Sequence, residues 1–190
     1  SEAWLSVHRE AHRLGFKSTA TMMFGHIEED EDILEHLDHL RNLQEETGGF
    51  TAFVPWSFKP GHTPLERRIT RHAGPTRYLR VIAFSRIYLD NVPHIQASWF
   101  SEGKKTAQIA LHFGADDFGG TLFEENVHAA ASFLNTATVE EVVTLIQESG
   151  FQPAQRTTLY ETLRTFEAPA HSADRGLPIA DLKATHPRSS

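Results

Sequence analysis

Two adjacent carboxylates, Asp116 and Asp117, form the first group of residues that could do chemistry. A Gly-Gly pair at 119–120 follows them, and two further acids, Glu124 and Glu125, open the next predicted helix. Buried carboxylates with shifted pKa values serve as general acids and bases. Adjacent strand residues point to opposite faces, so at most one of Asp116 and Asp117 faces a ligand. We predict Asp117 and Glu125 as catalytic residues. The alternative for Glu124 and Glu125 is stabilisation of a helix start.

A second group, Gly25, His26 and Glu28, follows a predicted buried strand. An imidazole and a carboxylate at the end of a strand can hydrogen-bond a purine or a ribose. The alternative is a solvated histidine beside the acidic start of a helix. The residue types leave both interpretations open.

Two tryptophans mark two further strand ends. Trp56 is followed by Ser57, and Trp99 is preceded by Ser98 and, three positions before it, Gln96. An indole can stack on a ligand ring, and an amide or a hydroxyl can orient that ring. We predict that these five residues face a substrate. The alternative is that the tryptophans belong to an ordinary core.

The elements that must position these residues alternate between helix and strand. Apolar periodicity and glycine stops predict helices over residues 3–14, 30–46, 77–89, 103–113, 123–133 and 138–149. Apolar runs predict strands over residues 16–24, 50–56, 94–99 and 116–121. Pro55 should end the regular pairing of the second strand, because proline has no N–H to donate. Residues 151–160 should pack back onto the end of the sheet.

Strands that are each followed by a helix predict an α/β fold with a parallel sheet. A closed (β/α)8 barrel has eight strands and about 250 residues, so the four strands predicted in these 190 residues make about half of one. Residues 1–166 should form this half-barrel, and residues 167–190 a disordered tail. A half-barrel exposes strand edges, and we therefore expect it to need a partner.

The composition restricts the class of protein. The chain is 39% hydrophobic and 23% charged, which is typical of a globular domain. Its net charge of -7 argues against nucleic acid as a partner. It has no run of about 18 apolar residues, so we expect no membrane span. It also begins without the features of a signal peptide, which predicts the cytoplasm.

The chain contains no cysteine, so its own thiolates cannot hold an iron–sulfur cluster. Two histidine pairs, His8 with His12 and His36 with His39, share helix faces. Neither pair matches a zinc motif, and we expect both on solvated faces. No metal site is predicted, and a metal-dependent hydrolase is the weakest of the functions considered.

Several segments resemble radical S-adenosylmethionine enzymes of the futalosine route to menaquinone. They are residues 19–28 (TATMMFGHIE), 45–50 (EETGGF) and 118–121 (FGGT) with 124–127 (EENV). Residues 53–58 (FVPWSF) and 96–99 (QASW) look most like the cyclic dehypoxanthine futalosine synthases of this family, and so do residues 118–121 followed by 124–127. The sister aminofutalosine synthases tend to lack these tryptophans, and deazaflavin-cofactor synthases look less similar.

The resemblance implies a radical reaction on a small nucleoside. By likeness to the cyclases, a [4Fe–4S] cluster reductively cleaves S-adenosylmethionine and the resulting deoxyadenosyl radical takes a hydrogen atom from the substrate ribose. The sugar radical then attacks a benzoate ring, and loss of an electron and a proton gives the spirocyclic product. By this likeness Gly25, His26 and Glu28 match the region that meets the adenosine part of S-adenosylmethionine. Trp56, Ser57, Gln96, Ser98 and Trp99 match the strand ends that face the substrate.

The family's three cluster cysteines, spaced Cys-x3-Cys-x2-Cys, have no counterpart in this chain. The resemblance therefore implies the C-terminal half of the barrel alone, which should be inactive without a cluster-bearing N-terminal half. That half, or a second copy of this chain, is the expected partner. The alternative is a binding module that kept the fold and lost the catalysis.

Overall fold

Helices alternate with three parallel strands in the computed structural model, which describes residues 2–60, 64–69, 72–121 and 136–168. The strands of this sheet are β1 (Ser18–Phe24), β2 (Phe50–Ser57) and β3 (His94–Ile95). The helices are α1 (Glu2–Arg13), α2 (Asp30–Thr47), α3 (Pro75–Tyr88), α4 (Trp99–Glu102), α5 (Lys104–Ala110) and α6 (Val139–Glu148), with short 3-10 turns at Pro64–Arg68 and Leu111–Phe113. A separate antiparallel hairpin pairs β4 (Ala154–Arg156) with β5 (Thr162–Thr165). The mixed α/β class and the parallel sheet are confirmed.

The third and fourth strands are shorter than predicted. The pairing between β2 and β3 ends at Ile95, and Trp99 begins α4 instead of ending a strand. The cause is Pro55, which has no N–H to offer the next strand, and its carbonyl accepts the Ser98 hydroxyl at 2.7 Å instead. Within the described residues, the predicted fourth strand is one parallel bridge between Gln96 and Asp117.

The sheet has one covered face and one open face. Alternate residues of β1 (Ala20, Met22 and Phe24) are buried against α2 and α3, where the Phe24 and Tyr78 rings stack at 6.3 Å. The residues between them (Thr19, Thr21 and Met23) are exposed. Among described residues β1 pairs only with β2, so its other edge is open. Within the described ranges, helices therefore pack on one side of the sheet only.

The helix boundaries follow local chemistry. Glu29 and Asp32 form a reciprocal capping box at the start of α2, and Gly48 ends this helix with a left-handed φ of 58°. The Thr138 side chain accepts the Glu141 N–H at 3.2 Å and caps the start of α6. Two other predictions, the helix over 123–133 and nearly all of the disordered tail over 167–190, lie outside the described residues.

The prediction of a solvated His8–His12 pair is wrong for His12, whose residue is only 8% exposed. Its Nδ1 lies 2.7 Å from the Thr47 hydroxyl, and its Nε2 lies 2.8 Å from the Ser18 hydroxyl. Because the Thr47 hydroxyl donates to the Leu43 carbonyl, it must accept from Nδ1–H of His12. In a neutral His12 ring Nε2 accepts from the Ser18 hydroxyl, whose oxygen also contacts His8 Nδ1 at 3.2 Å. Burial lowers the pKa of His12 and so favours this neutral form.

We expect the free energy of unfolding to fall as the pH is lowered from 7 towards 5. Burial lowers the pKa of His8 and His12 below the ordinary 6.5, and for His12 the neighbouring His8 and Lys17 act in the same direction. The unfolded chain therefore takes up protons first as the pH falls below 6.5, which favours unfolding. Urea denaturation at several pH values measures this, and a His12→Gln variant should show a shallower dependence. A stability that stays constant across this range would contradict the expectation.

Candidate active site at the carboxyl ends of the strands

The open face of the sheet brings together residues from all of its strands. Register pairs Thr19 with Ala52, Thr21 with Val54 and Met23 with Trp56. Ala52 also pairs with His94, which places Gln96 at the level of Val54, and Gln96 bridges to Asp117. Because paired residues of parallel strands share a face, Trp56, Gln96 and Asp117 all lie on the open side. His94 lies lower, towards the amino ends of the strands.

Gly25, His26 and Glu28 form a tight turn at the carboxyl end of β1. The Glu28 carboxylate accepts the N–H groups of Gly25 and His26 at 2.5 and 2.8 Å, and His26 Nδ1 lies 3.1 Å from it. Gly25 has a φ of +84°, and a side chain there would collide with the Cβ of Ala73. The turn is therefore rigid, with an imidazole and a carboxylate held beside each other.

Trp56 and Gln96 lie on the open face of the sheet, and their role as substrate contacts stays a prediction. Both side chains are partly exposed on the open face. Gly119 makes room for Gln96: a Cβ on Gly119 would lie 2.8 Å from the Gln96 amide nitrogen, and φ at Gly119 is +79°. An indole and an amide thus lie on the same open face of the sheet.

Ser57, Ser98 and Trp99 are buried and lie between the sheet and the helices. The Ser57 N–H and hydroxyl both donate to Glu102 Oε1, at 2.8 and 2.6 Å. The Ser98 N–H donates to the Tyr78 hydroxyl at 2.7 Å, and Trp99 is 1% exposed within the core. A substrate role for these three stays a prediction, and their burial favours an indirect one.

A buried polar cluster at the end of β2 was missed by the sequence reasoning. Glu102, whose side chain is 4% exposed, also accepts the Ser101 hydroxyl at 2.6 Å. The Lys59 ammonium lies 2.9 Å from the Ser57 hydroxyl and 3.7 Å from Glu102, and burial lowers its pKa. No sequence pattern indicated that Glu102 would turn inward from so short a helix.

Asp117, and not Asp116, faces the open side of the sheet. Asp117 is 9% exposed and accepts two hydrogen bonds from the Arg156 guanidinium, one from the Tyr160 hydroxyl at 2.7 Å and one from the Gly119 N–H at 3.0 Å. Asp116 is paired with Arg86 at 2.6 Å and with His94 at 2.7 Å. Burial and the Asp117 hydrogen bond raise the pKa of Tyr160. The Asp117 carboxylate is thus held by the hairpin and by the backbone of Gly119. Glu125 lies outside the described residues.

Comparison with known proteins decides the family. A family model described as the CofH/MqnC C-terminal region matches residues 47–169. The chain belongs to this family. The CofH/MqnC match covers β2, β3, Asp117 and the hairpin, and thus most of the residues that line the open face.

Named relatives agree with the CofH/MqnC assignment. A cyclic dehypoxanthine futalosine synthase of Streptomyces coelicolor is 43% identical over 97% of this chain, which spans 45% of that protein. A 5-amino-6-(D-ribitylamino)uracil–L-tyrosine 4-hydroxyphenyl transferase of Methanopyrus kandleri is 44% identical over 87% of this chain and 46% of its own length. An aminodeoxyfutalosine synthase of Thermus thermophilus is 42% identical over 88% of this chain, again with 46% of its own length. The resemblance inferred from the motifs is confirmed, and the relatives are enzymes about twice as long as the matched region.

Two further observations concern the described ranges only. No three or more His, Asp or Glu side chains within them are arranged to hold a metal ion. No helix there has both the length and the apolar character that crossing a membrane requires.

Proposed function

We propose that this chain is the C-terminal half of a radical S-adenosylmethionine enzyme that cyclises dehypoxanthine futalosine in menaquinone biosynthesis. One observation carries the proposal: Trp56, Gln96 and the Gly25–Glu28 turn all lie towards the carboxyl edge of a parallel sheet. In (β/α)8 barrels that edge is where ligands bind. The open face and the open edge of β1 fit one half of such a barrel, to be closed by an N-terminal half.

The Gly25–Glu28 turn fits the adenosine part of S-adenosylmethionine in its donors and acceptors. Each Glu28 oxygen accepts one backbone N–H and has capacity for a second donor, such as a ribose hydroxyl. The cluster cannot be held by this chain, which has no cysteine, so the N-terminal half would hold it. When bound there, it supplies the electron that cleaves S-adenosylmethionine.

The substrate would lie across the open face. Trp56 would stack on one of its rings, and Gln96, fixed against Gly119, would orient it by hydrogen bonding. Ser57, Ser98 and Trp99 would hold these strand ends in place from the buried side. Asp117 would serve as a fixed polar group, because a proton taken up there would break its pairing with Arg156. Glu125 stays the predicted second acid–base residue.

Two alternatives have observations in their favour. Identities of 42% and 44% to an aminodeoxyfutalosine synthase and a 4-hydroxyphenyl transferase are close to the 43% of the cyclase, so overall identity does not separate the three reactions. The tryptophans favour the cyclase, since the sister synthases tend to lack them. The absence of cysteine is equally compatible with a binding module that has lost catalysis.

Reconstitution with the upstream half of the Streptomyces coelicolor relative tests the proposal. We expect the mixture, with its cluster loaded under anaerobic conditions, to convert dehypoxanthine futalosine to the cyclic product, and this chain alone to convert none. Trp56→Leu should lower turnover at least tenfold, whereas Phe84→Leu, on the outer helical surface, should not. Mass spectrometry of the products measures both. Turnover of another family substrate would favour an alternative reaction, and nucleoside binding without turnover would favour the binding module.

A further inference from the structure

The hairpin β4–β5 is attached to the open face of the sheet at its lower part. The Tyr160 ring stacks on the ring of His94 at 3.7 Å with an interplanar angle of 4°, and His94 lies at the level of Ala52, early in β2. The Tyr160 hydroxyl and the Arg156 guanidinium reach Asp117, at the middle level. The anchors of the hairpin thus lie at and below the level of Gln96, towards the end of the face opposite Trp56.

Tyr160 has a left-handed φ of 66°, which is uncommon for a residue with a bulky side chain. Such a conformation persists where the surrounding contacts determine it. Here the ring lies between His94 and the Arg156 guanidinium, whose central carbon is 3.8 Å from the ring centroid, and the hydroxyl is bonded to Asp117. The position of the hairpin on the face is therefore specific.

The remainder of the hairpin has little support within the described residues. All four residues of β5 are exposed, and the apolar side chains of Leu159 and Leu163 are 61% and 63% exposed. A two-stranded hairpin alone is only marginally stable in water. Two leucines on such a hairpin, next to the open face of a sheet, fit a surface that another part of the enzyme covers.

We propose that the hairpin β4–β5 is the floor of the barrel and that Leu159 and Leu163 dock the half of the enzyme that precedes this chain. The inference rests on the proposed half-barrel. The relatives indicate which part of the enzyme would cover these leucines, because this chain spans only 45% to 46% of their lengths. That half would extend the sheet from the open edge of β1 and close over the hairpin, so that substrate enters only from the Trp56 end.

The binding affinity of this chain for the upstream half of the Streptomyces coelicolor relative tests whether Leu159 and Leu163 dock that half. We compare the wild-type chain with a Leu159→Asp/Leu163→Asp variant by sedimentation velocity and titration calorimetry. The double variant should bind on the order of a hundredfold more weakly, because two desolvated leucines become charged. Its circular dichroism should match that of the wild type, since both side chains are exposed in the chain alone.

Ile87→Asp provides the matched control, because Ile87 is 78% exposed on α3, which packs on the covered side of the sheet. It should bind like the wild type. Wild-type affinity in the Leu159→Asp/Leu163→Asp variant would overturn the proposed docking role of the hairpin while leaving the proposed function intact. A wild-type chain that does not bind the upstream half at all would overturn both.

Discussion

Replacing Gly49 with alanine should lower the free energy of unfolding by about 3–5 kcal/mol. A Cβ at this position would lie less than 3.0 Å from three ring atoms of His12. That ring is buried and held at both nitrogens, so it cannot move aside without losing its bonds to Thr47 and Ser18. Overpacking costs about 1–3 kcal/mol, and each lost hydrogen bond about 1 kcal/mol more. Urea denaturation followed by circular dichroism measures the change.

A double variant and a glycine control make the Gly49 prediction specific. In a His12→Ala background, Gly49→Ala should cost little, because the obstructing ring is gone, and the two changes should be strongly non-additive. Gly120→Ala should be close to neutral, since a Cβ there meets nothing within 4 Å. A Gly49→Ala protein within 1 kcal/mol of the wild type would show that His12 is not packed as described.

Replacing Arg156 with alanine should destabilise the chain by about 3 kcal/mol. It would leave the carboxylate of Asp117, a residue 9% exposed, with only the Tyr160 hydroxyl and the Gly119 N–H. Removing one partner of a buried ion pair costs about 3–5 kcal/mol, and the partial exposure of Arg156 favours the lower value. For a chain of this size the melting temperature should fall by about 6–12 °C. Differential scanning calorimetry measures the shift.

Arg164→Ala is the matched control in the same hairpin. Arg164 is exposed, and its guanidinium lies over the Phe166 ring at 4.6 Å. Its loss should cost less than about 1 kcal/mol. Arg156→Lys should fall between the two, because an ammonium cannot bond both carboxylate oxygens in the way a guanidinium does. Equal losses for Arg156→Ala and Arg164→Ala would mean that the Asp117 pair contributes no more stability than the contact of Arg164 with Phe166.

The sequence was sufficient to predict the elements with a long and regular pattern. The leucine stripe of α2 and its glycine stop predicted that helix to within a residue, and the apolar run before Gly25 predicted β1. The predicted length of the third strand was wrong because it depends on the backbone hydrogen-bonding groups that β2 presents to β3. The missing N–H of Pro55 predicts a break in pairing, but its effect on residues 96–99 appears only once the strands are paired.

The candidate site was predictable in its residue types and only partly in its geometry. Trp56 and Gln96 lie on the open face because period-two alternation holds in β2 from Ala52 onward, and along the third strand as far as Gln96. Alternation does not reach Trp99, which belongs to a helix and therefore turns into the core. The partners of Asp117 could not be found locally, since Arg156 and Tyr160 lie 39 and 43 residues further along the chain.

The open edge of β1 has a consequence for amide hydrogen exchange. The Ser18 N–H bonds to the Gly49 carbonyl and the Phe24 carbonyl accepts the Phe58 N–H, so the even-numbered residues direct their backbone groups to β2. The amides of Thr19, Thr21 and Met23 therefore point to the open edge. Deuterium should replace their protons early while those of Ala20 and Met22 persist. An upstream strand added to this edge would remove the alternation, which makes the exchange pattern of one short strand a direct reporter of assembly.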